Sequence, residues 1–459
     1  MYQIDFNHPV HIYFVGIGGI SMSGLAEILW EKGFTVSGSD RQCSALTESL
    51  AEKGIRIFYG QTENNITSDI DCAVFTSAIH PDNPEYIAVK KLGIPSLSRA
   101  ELLGQMMKNY GMPIAVSGTH GKTSTTSMIS EILLHADLDP TLSIGGILQS
   151  IGGNIRIGHS DYFVSEACEY TNSFLSFFPK IGIILNIEED HMDFFKDLAD
   201  IRSSFKRFAA LLPADGVLII NGDIPMYKDI TEGLTCKVVT FGSTADSDYF
   251  PSDISFDHMG HPSYTLHSPL GETTPIVLSV PGEHNVYNSL AAAALGDQLL
   301  IPRKTTAEAL LAFHGTDRRF EYKGSIGGVT IVDDYAHHPT EITATLQAAA
   351  HCPHNHLWCV FQPHTYSRTK AFLKDFAKAL SLADKVVLAD IYASRETDTL
   401  GISSADLQKE LLDLGCECYY FKSFDEIENF LLQYCINDDL LITMGAGDVL
   451  KIGETLLGI

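Results

Sequence analysis

Short apolar runs rich in β-branched residues alternate along the chain with longer segments of helical periodicity, and this alternation predicts parallel sheets covered by helices. The first block reads as a strand, HIYFVGI, a glycine-rich turn, a helix, SMSGLAEILWEKG, and a second strand, FTVSGSD, ending at Asp40. DCAVFTSAI follows as a strand, residues 83–92 as a helix, and GIPSLSR as a further strand or loop. A linker at residues 108–112, with Pro113 just after it, precedes the strand PIAVS and a new helix, which marks a domain start. The central block runs through DYFVSEACEY, KIGIILNIEEDH and GVLIINGD, and the polar, turn-rich residues 246–274 predict antiparallel strands. Near residues 314–320 the pattern restarts, and GVTIVDDYAHHP, HLWCVFQPH, KVVLADIY and DDLLITMGAGD predict a third sheet.

At 459 residues the chain is too long for one ordinary core. The pattern divides it into three α/β domains, at residues 1–110, 111–314 and 315–459. A composition of 45% hydrophobic and 19% charged residues is that of a globular protein rather than a disordered one. The formal charge of -26, from 57 acidic against 31 basic residues, repels polyanions, so neither nucleic acid nor anionic membrane is an expected partner. A small phosphorylated ligand stays admissible, because a helix N-terminus with one lysine or a metal ion overrides the mean field locally. The nine cysteines include no CxxC pair, as in a reduced cytoplasmic protein. The apolar run at residues 10–15 is broken by Gly16, Gly18 and Gly19 and lacks a basic leader, so it does not read as a signal peptide. With no stretch of about 18 uninterrupted apolar residues, the expected location is the cytoplasm.

The strongest chemical signal is GTHGKTS, residues 118–124, between the apolar strand PIAVS and the helical pattern TTSMISEILLHA. A strand that turns through glycines into a helix aims several backbone N–H groups and the positive end of a dipole at one spot, as a triphosphate requires. Gly118, Thr119, His120, Gly121 and Ser124 then form the cradle, Lys122 neutralises the β- and γ-phosphates, and the Thr123 hydroxyl ligates Mg²⁺. The loop has only Thr119 and His120 between Gly118 and the GK pair, where the general pattern has four residues. The plain alternative is a glycine turn with a surface lysine and a polar helix cap.

Phosphoryl transfer to a carboxylate brings two anions together, so a divalent cation is expected, Mg²⁺ or also Mn²⁺, with ligands at nearby strand ends. Glu166 ends the strand DYFVSE and His191 follows the strand IGIILNIEED, so both reach the mouth where Thr123 lies. Each also has an ordinary structural reading, as a strand-end acid and a locally satisfied histidine. The earlier turn GIGGISMSG, residues 16–24, approximates a dinucleotide fingerprint, but Ser21 stands where the strict pattern has glycine. Its backbone predicts a phosphate ligand without naming it, and an NAD-linked oxidoreductase remains an alternative. His337, His338 and Glu341 in VDDYAHHPTEI lack the HExxH spacing of a zinc site. Arg318, Arg319 and Phe320 lie in the linker to the third block, from which an arginine could reach a γ-phosphate as that block closes.

These motifs, in this order from about residue 12 to MGAGD at residues 444–448, resemble the Mur ligases; the short phosphate loop is shared with the folylpolyglutamate synthases. The resemblance implies a Rossmann-like N-terminal domain, a central P-loop ATPase domain and a C-terminal Rossmann-like α/β domain that closes over the cleft. It implies ATP-dependent joining of L-alanine to the lactyl carboxylate of UDP-N-acetylmuramate through an acyl phosphate, in peptidoglycan synthesis, by a monomer or homodimer. The family's UDP-binding loop falls on Gly18, Gly19, Ser21, Met22, Ser23 and Asp40, and its metal-binding acid and NIEEDHMD signature fall on Glu166 and residues 186–193. PGEHNVYNSLAA places His284 and Asn285 near the adenine and ribose, with Arg319 completing the ATP site. The DYAHHPTE loop implies a substrate-facing role for Tyr335 and His337, and FQPHTYSRT implies that His364 and Arg368 hold the alanine carboxylate. Many relatives carry a second arginine where Thr365 stands, and some carry a carbamylated lysine that neither Lys196 nor Lys206 matches by motif. A recycling ligase that adds a tripeptide to the same nucleotide and a non-catalytic nucleotide-binding regulator stay open beside the alanine reading.

Overall fold

A computed structural model of the protein describes residues 2–459 except Ser77, Leu270, Glu272, Arg395 and Thr399, so one position of the segment DCAVFTSAI lies outside the described residues. Five parallel strands, β1 (His11–Val15), β2 (Thr35–Asp40), β3 (Arg56–Tyr59), β4 (Cys72–Phe75) and β5 (Ser96–Ser98), lie in the order 3-2-1-4-5. Helix Ile20–Glu31 follows β1 directly and buries Met22, Leu25, Ile28 and Leu29. This is the doubly wound arrangement in which ligands bind beyond the carboxyl ends of the strands.

The second sheet contains β6 (Met112–Ser117), β7 (Thr141–Leu148), β8 (Gly153–Arg156), β9 (Tyr162–Glu166), β10 (Ile181–Ile184), β11 (Val217–Asn221) and β12 (Lys237–Phe241), ordered 12-11-10-6-9-7-8. Only β8 runs antiparallel to its neighbour. The linker expected at residues 108–112 is shorter, because Met112 already pairs with Tyr162 and Pro113 lies inside β6, at the strand start where its missing N–H is tolerated. Strands β13 (Phe250–Phe256), β14 (Pro262–His267) and β15 (Thr274–Val277) form the antiparallel layer expected in residues 246–274.

The third sheet has β16 (Glu321–Ile326), β17 (Val329–Asp334), β18 (Leu357–Phe361), β19 (Lys385–Leu388), β20 (Glu417–Tyr420) and β21 (Leu440–Met444), ordered 16-17-21-18-19-20 with β16 antiparallel. Central strands such as β18 and β21 are buried along their whole length, which is why they read as continuous apolar runs. Among the described residues no helix is long and apolar enough to cross a membrane.

The first two sheets share one apolar core: Leu102, Met106 and Tyr110 pack with Phe163, Phe174 and Phe205. At that seam Gly104, in helix Arg99–Met107, lies so near the turn at Tyr170–Ser176 that a Cβ would stand 1.9 Å from the Ser176 carbonyl oxygen. A backbone atom cannot yield as a side-chain end does, so Gly104→Ala is expected to destabilise the protein by about 1–3 kcal/mol in urea titrations.

Candidate active site

The turn from β6 into helix Lys122–His135 passes through Gly118 at φ 148° and Gly121 at φ 80°, backbone conformations that a Cβ disfavours. Crowding adds to this, since a Cβ on Gly121 would meet Asn288 Oδ1 at 2.6 Å. The loop is held from the neighbouring strand: His120 N–H donates to Asn186 Oδ1 (2.7 Å), Asn186 Nδ2 donates to the His120 carbonyl (3.1 Å), and Glu188 N–H donates to Thr119 Oγ1 (2.9 Å). Lys122 Nζ lies folded into the loop, donating to the Gly118 and Thr119 carbonyls and, at 3.0 Å, to Glu169 Oε2. Burial alone would lower the lysine pKa, and the Glu169 carboxylate more than offsets it, keeping the ammonium charged.

Thr123 Oγ1 donates to Glu166 Oε2 at 3.1 Å, so two of the three expected metal ligands meet. The third stands apart from them. His191 Nε2 lies 3.6 Å from Glu169 Oε1 and 3.8 Å from Asp190, its ring stacks on Tyr170, and no hydrogen bond or ion pair among the described residues joins it to Glu166. His191 sits at φ 54°, a left-handed conformation that costs roughly 1–2 kcal/mol for a residue with a Cβ. The donor set of carboxylates, a hydroxyl and an imidazole suits a hard divalent cation. Glu169 Oε1, buried without a hydrogen-bond partner, fits the same reading.

A cavity of about 360 Å³ opens beside the loop. Its wall includes His120, Gly121 and Ser124 from the loop, His284 and Asn285 from the start of helix His284–Gln298, and Arg319, so these six of the residues expected at an ATP site line one cavity, while Gly118, Thr119, Lys122 and Thr123 are not in its wall. Asn285 is tied internally, donating to the Pro281 carbonyl and accepting from Asn288. The two linker arginines differ in availability. Arg318 is pinned by Asp333 (2.9 Å) and the Gly445 and Gly447 carbonyls, whereas Arg319 faces the cavity.

The third sheet docks onto this cavity through polar pairs. His120 Nδ1 lies 3.1 Å from Glu341, and Thr340 donates to Glu188 at 2.7 Å. His338 has both ring nitrogens engaged, one with the Glu189 carbonyl and one with the Thr340 N–H, although His120, Glu188 and His338 bring ligand atoms within 4.8 Å of one another. Arg368, expected to hold an amino-acid carboxylate, spends Nε and Nη2 on Asp190 (3.3 and 2.8 Å) and Nη1 on His364 Nδ1 (2.9 Å). Asp190 is correspondingly held far below the usual carboxylate range, its burial outweighed by Arg368. Thr365 takes φ 66° and caps helix Tyr366–Ala371, accepting from the Arg368 N–H.

His337 and His364 stand edge to face at 5.5 Å, and burial pushes them down to about 4 and about 3, so both are neutral near pH 7. A carbonyl only accepts, so the His337 contact to the Tyr335 carbonyl puts the proton on Nδ1 and leaves Nε2 as an acceptor. An arginine only donates, so His364 accepts at Nδ1 and carries its proton on Nε2. Tyr335 lies under both linker guanidinium groups, at 4.9 and 5.3 Å.

The residues of the first glycine turn are separate from this cluster, on the first sheet. Asp40 Oδ2 accepts from Gly18 N–H at 2.8 Å, Gly19 N–H bonds the Gly16 carbonyl, and Ser21 Oγ accepts from Arg99. The side chains of Met22 and Ser23 are turned inward, 2% and 6% exposed, and the Ser23 N–H is spent on the Gly19 carbonyl. Sequence reasoning did not single out Glu169, Asp190, Asn186 or Arg99. Three of these lie in the quoted segments EACEY and NIEEDHMD, where each added acid or amide was a visible signal.

His120 is pushed up to about 9, burial opposing and Glu188 and Glu341 outweighing it. A raised pKa contributes stability that is complete below the unfolded value of about 6.5 and lost as pH rises through about 9. The melting-temperature advantage of the wild type over His120→Gln should therefore be largest near pH 6 and narrow steadily towards pH 10.

Family comparisons follow the three sheets. The Mur ligase family catalytic domain matches residues 11–111, the Mur ligase middle domain residues 116–296, and the Mur ligase glutamate ligase domain residues 318–447. The chain is 60% identical over the whole of both sequences to a UDP-N-acetylmuramate--L-alanine ligase of Lachnospira eligens, and 48% identical, over 98% of each, to one from Clostridium botulinum strain Langeland. Among solved structures, the UDP-N-acetylmuramate-alanine ligase MurC of Thermotoga maritima superposes with a TM-score of 0.81 at 30% identity over 98% of each chain. A murein peptide ligase from Psychrobacter arcticus gives 0.72 at 25%, again over 98% of each. With matches that tile the chain in the order of its sheets and relatives that run its full length, the chain belongs to the Mur ligase family.

Proposed function

We propose that this protein joins L-alanine to the lactyl carboxylate of UDP-N-acetylmuramate at the expense of ATP, in the cytoplasmic stage of peptidoglycan synthesis. The full-length 60% identity to a ligase of that name supports the reading, and the observation that carries it is the buried, charged Lys122 at a strand-to-helix turn that opens on a cavity. Residues 1–110 take the UDP-sugar, residues 111–314 the ATP, and residues 315–459 the amino acid. The enzyme acts as a monomer or homodimer.

In the first step the lactyl carboxylate oxygen attacks the γ-phosphorus, the bond to the β-phosphate oxygen breaks, and ADP leaves with that electron pair. Lys122 offsets the charge that accumulates on the transferring group, and the loop N–H groups hold the β- and γ-phosphates. Mg²⁺, or Mn²⁺ in its place, would be held by Thr123, Glu166 and His191, and supplies screening between the two anions. In the second step the unprotonated amine of alanine attacks the acyl carbon and phosphate leaves. The Nε2 lone pair of His337 is free to take the amine proton, and neutral His364 hands a hydrogen bond to the amino-acid carboxylate. For Arg368 to bind that carboxylate as well, it must release Asp190 in part, so alanine and Asp190 compete for one guanidinium group.

A murein peptide ligase is the second reading, favoured by the fold similarity over the whole chain. Phosphate release measured with UDP-N-acetylmuramate, ATP and a panel of acceptors separates the possibilities: alanine supports turnover if the proposal holds, the tripeptide alone supports it under the second reading, and no acceptor does so for a non-catalytic nucleotide binder. Lys122→Ala should lower the alanine-dependent rate on the order of a hundredfold or more. A variant turning over near the wild-type rate would remove the lysine from the chemistry.

A further inference from the structure

Glu169 has no role in the chemistry described so far, yet its carboxylate is almost wholly enclosed, 2% exposed. One oxygen is accounted for, because Oε2 accepts from Lys122 Nζ at 3.0 Å. The other is not. Oε1 is buried and has no hydrogen-bond partner, and leaving a charged oxygen unsatisfied costs about 1–3 kcal/mol or more. It faces His191 Nε2 at 3.6 Å, too far for a hydrogen bond. That spacing does fall inside the span of about 4 Å that two ligands on opposite sides of a hard cation reach with bonds of roughly 2.1 Å. A purely structural counter-ion for Lys122 would need only one oxygen, and the protein would gain by giving the other a donor. The backbone cooperates, since His191 occupies its left-handed conformation where its ring faces this carboxylate.

Resting on the reading that the site works with a divalent cation, we propose that Glu169 is itself a ligand of that cation. Its Oε1 faces His191 Nε2, and its Oε2 keeps Lys122 in place beside the Thr123–Glu166 pair. One carboxylate thereby couples the two positive groups that must act on the same phosphate, and it draws His191 into the ligand set from which it stands apart in direct contacts.

The test is binding of Mn²⁺ alone, without nucleotide, followed by electron paramagnetic resonance on the full-length wild type, Glu169→Gln and Glu169→Asp, with thermal melts confirming folding. Glu169→Gln removes the charge and leaves only a weaker amide oxygen, whereas Glu169→Asp keeps the charge and withdraws the oxygen by one methylene. Both are expected to bind Mn²⁺ about tenfold more weakly or worse than the wild type. Should only one variant fold, that one decides. Affinity of a folded Glu169→Asp or Glu169→Gln protein within twofold of the wild type overturns the proposal, as does a wild type that takes up no Mn²⁺ at millimolar concentration. Because no acceptor or turnover enters the measurement, its failure is distinct from failure of the ligase reading, which phosphate release decides.

Discussion

A lysine taken out of water needs a partner, and at the turn leaving β6 the ammonium of Lys122 finds three: two loop carbonyls and the Glu169 carboxylate. This requirement organises what surrounds it. The glycines at 118 and 121 let the loop curl tightly enough for its own carbonyls to reach the side chain. Asn186 and Glu188 fix the loop's outer edge through its backbone and Thr119. Glu169 lies just past β9, and Glu166 at that strand's end takes Thr123, so adjacent strands of one sheet deliver the charges that bracket the loop. These groups are paired with each other. Under the proposed function, an anion at the loop would exchange partners with them without the cost of ordering a flexible site from scratch.

The same economy extends across the domains. The cavity beside the loop is walled partly by the central sheet's elements and partly by residues of the third sheet, so it exists in this form only while the two are docked. Docking is polar rather than apolar: Arg368 on Asp190, Glu341 on His120, Thr340 on Glu188. Polar contacts of this kind are readily exchanged for water, which suits the opening and closing that the proposed reaction requires. Each of the three couples a residue of the loop or of the segment after β10 to one of the third block, and Thr340 and Glu341 themselves line the cavity.

Much of this was legible in the amino-acid order, and the reasons differ by element. Buried parallel strands show as apolar runs, so β1, β6, β10, β18 and β21 stood out, and the phosphate loop was readable because a strand, two glycines and a helix start are consecutive. Short elements such as β3 and the helix Ala45–Glu52 left too little periodicity. Pro113 looked like linker punctuation because a proline at a strand start cannot be told from one before it without knowing the neighbouring strands. Long-range pairings were the main loss. Arg368 and Asp190 are 178 positions apart, and nothing local to FQPHTYSRT says that its arginine already has a carboxylate. Met22 and Ser23 sat in a matching segment, but a helix turns only part of any matching segment toward a ligand.

The measurement closest to the centre of the account is a crystal structure of the protein soaked with a non-hydrolysable ATP analogue and a divalent cation. The β- and γ-phosphates should lie against the N–H groups of residues 118–124, with Lys122 released from the Gly118 and Thr119 carbonyls towards them while still beside Glu169, and the adenine in the cavity lined by His284 and Asn285. A nucleotide bound elsewhere, with Lys122 still folded onto its own loop, would contradict it.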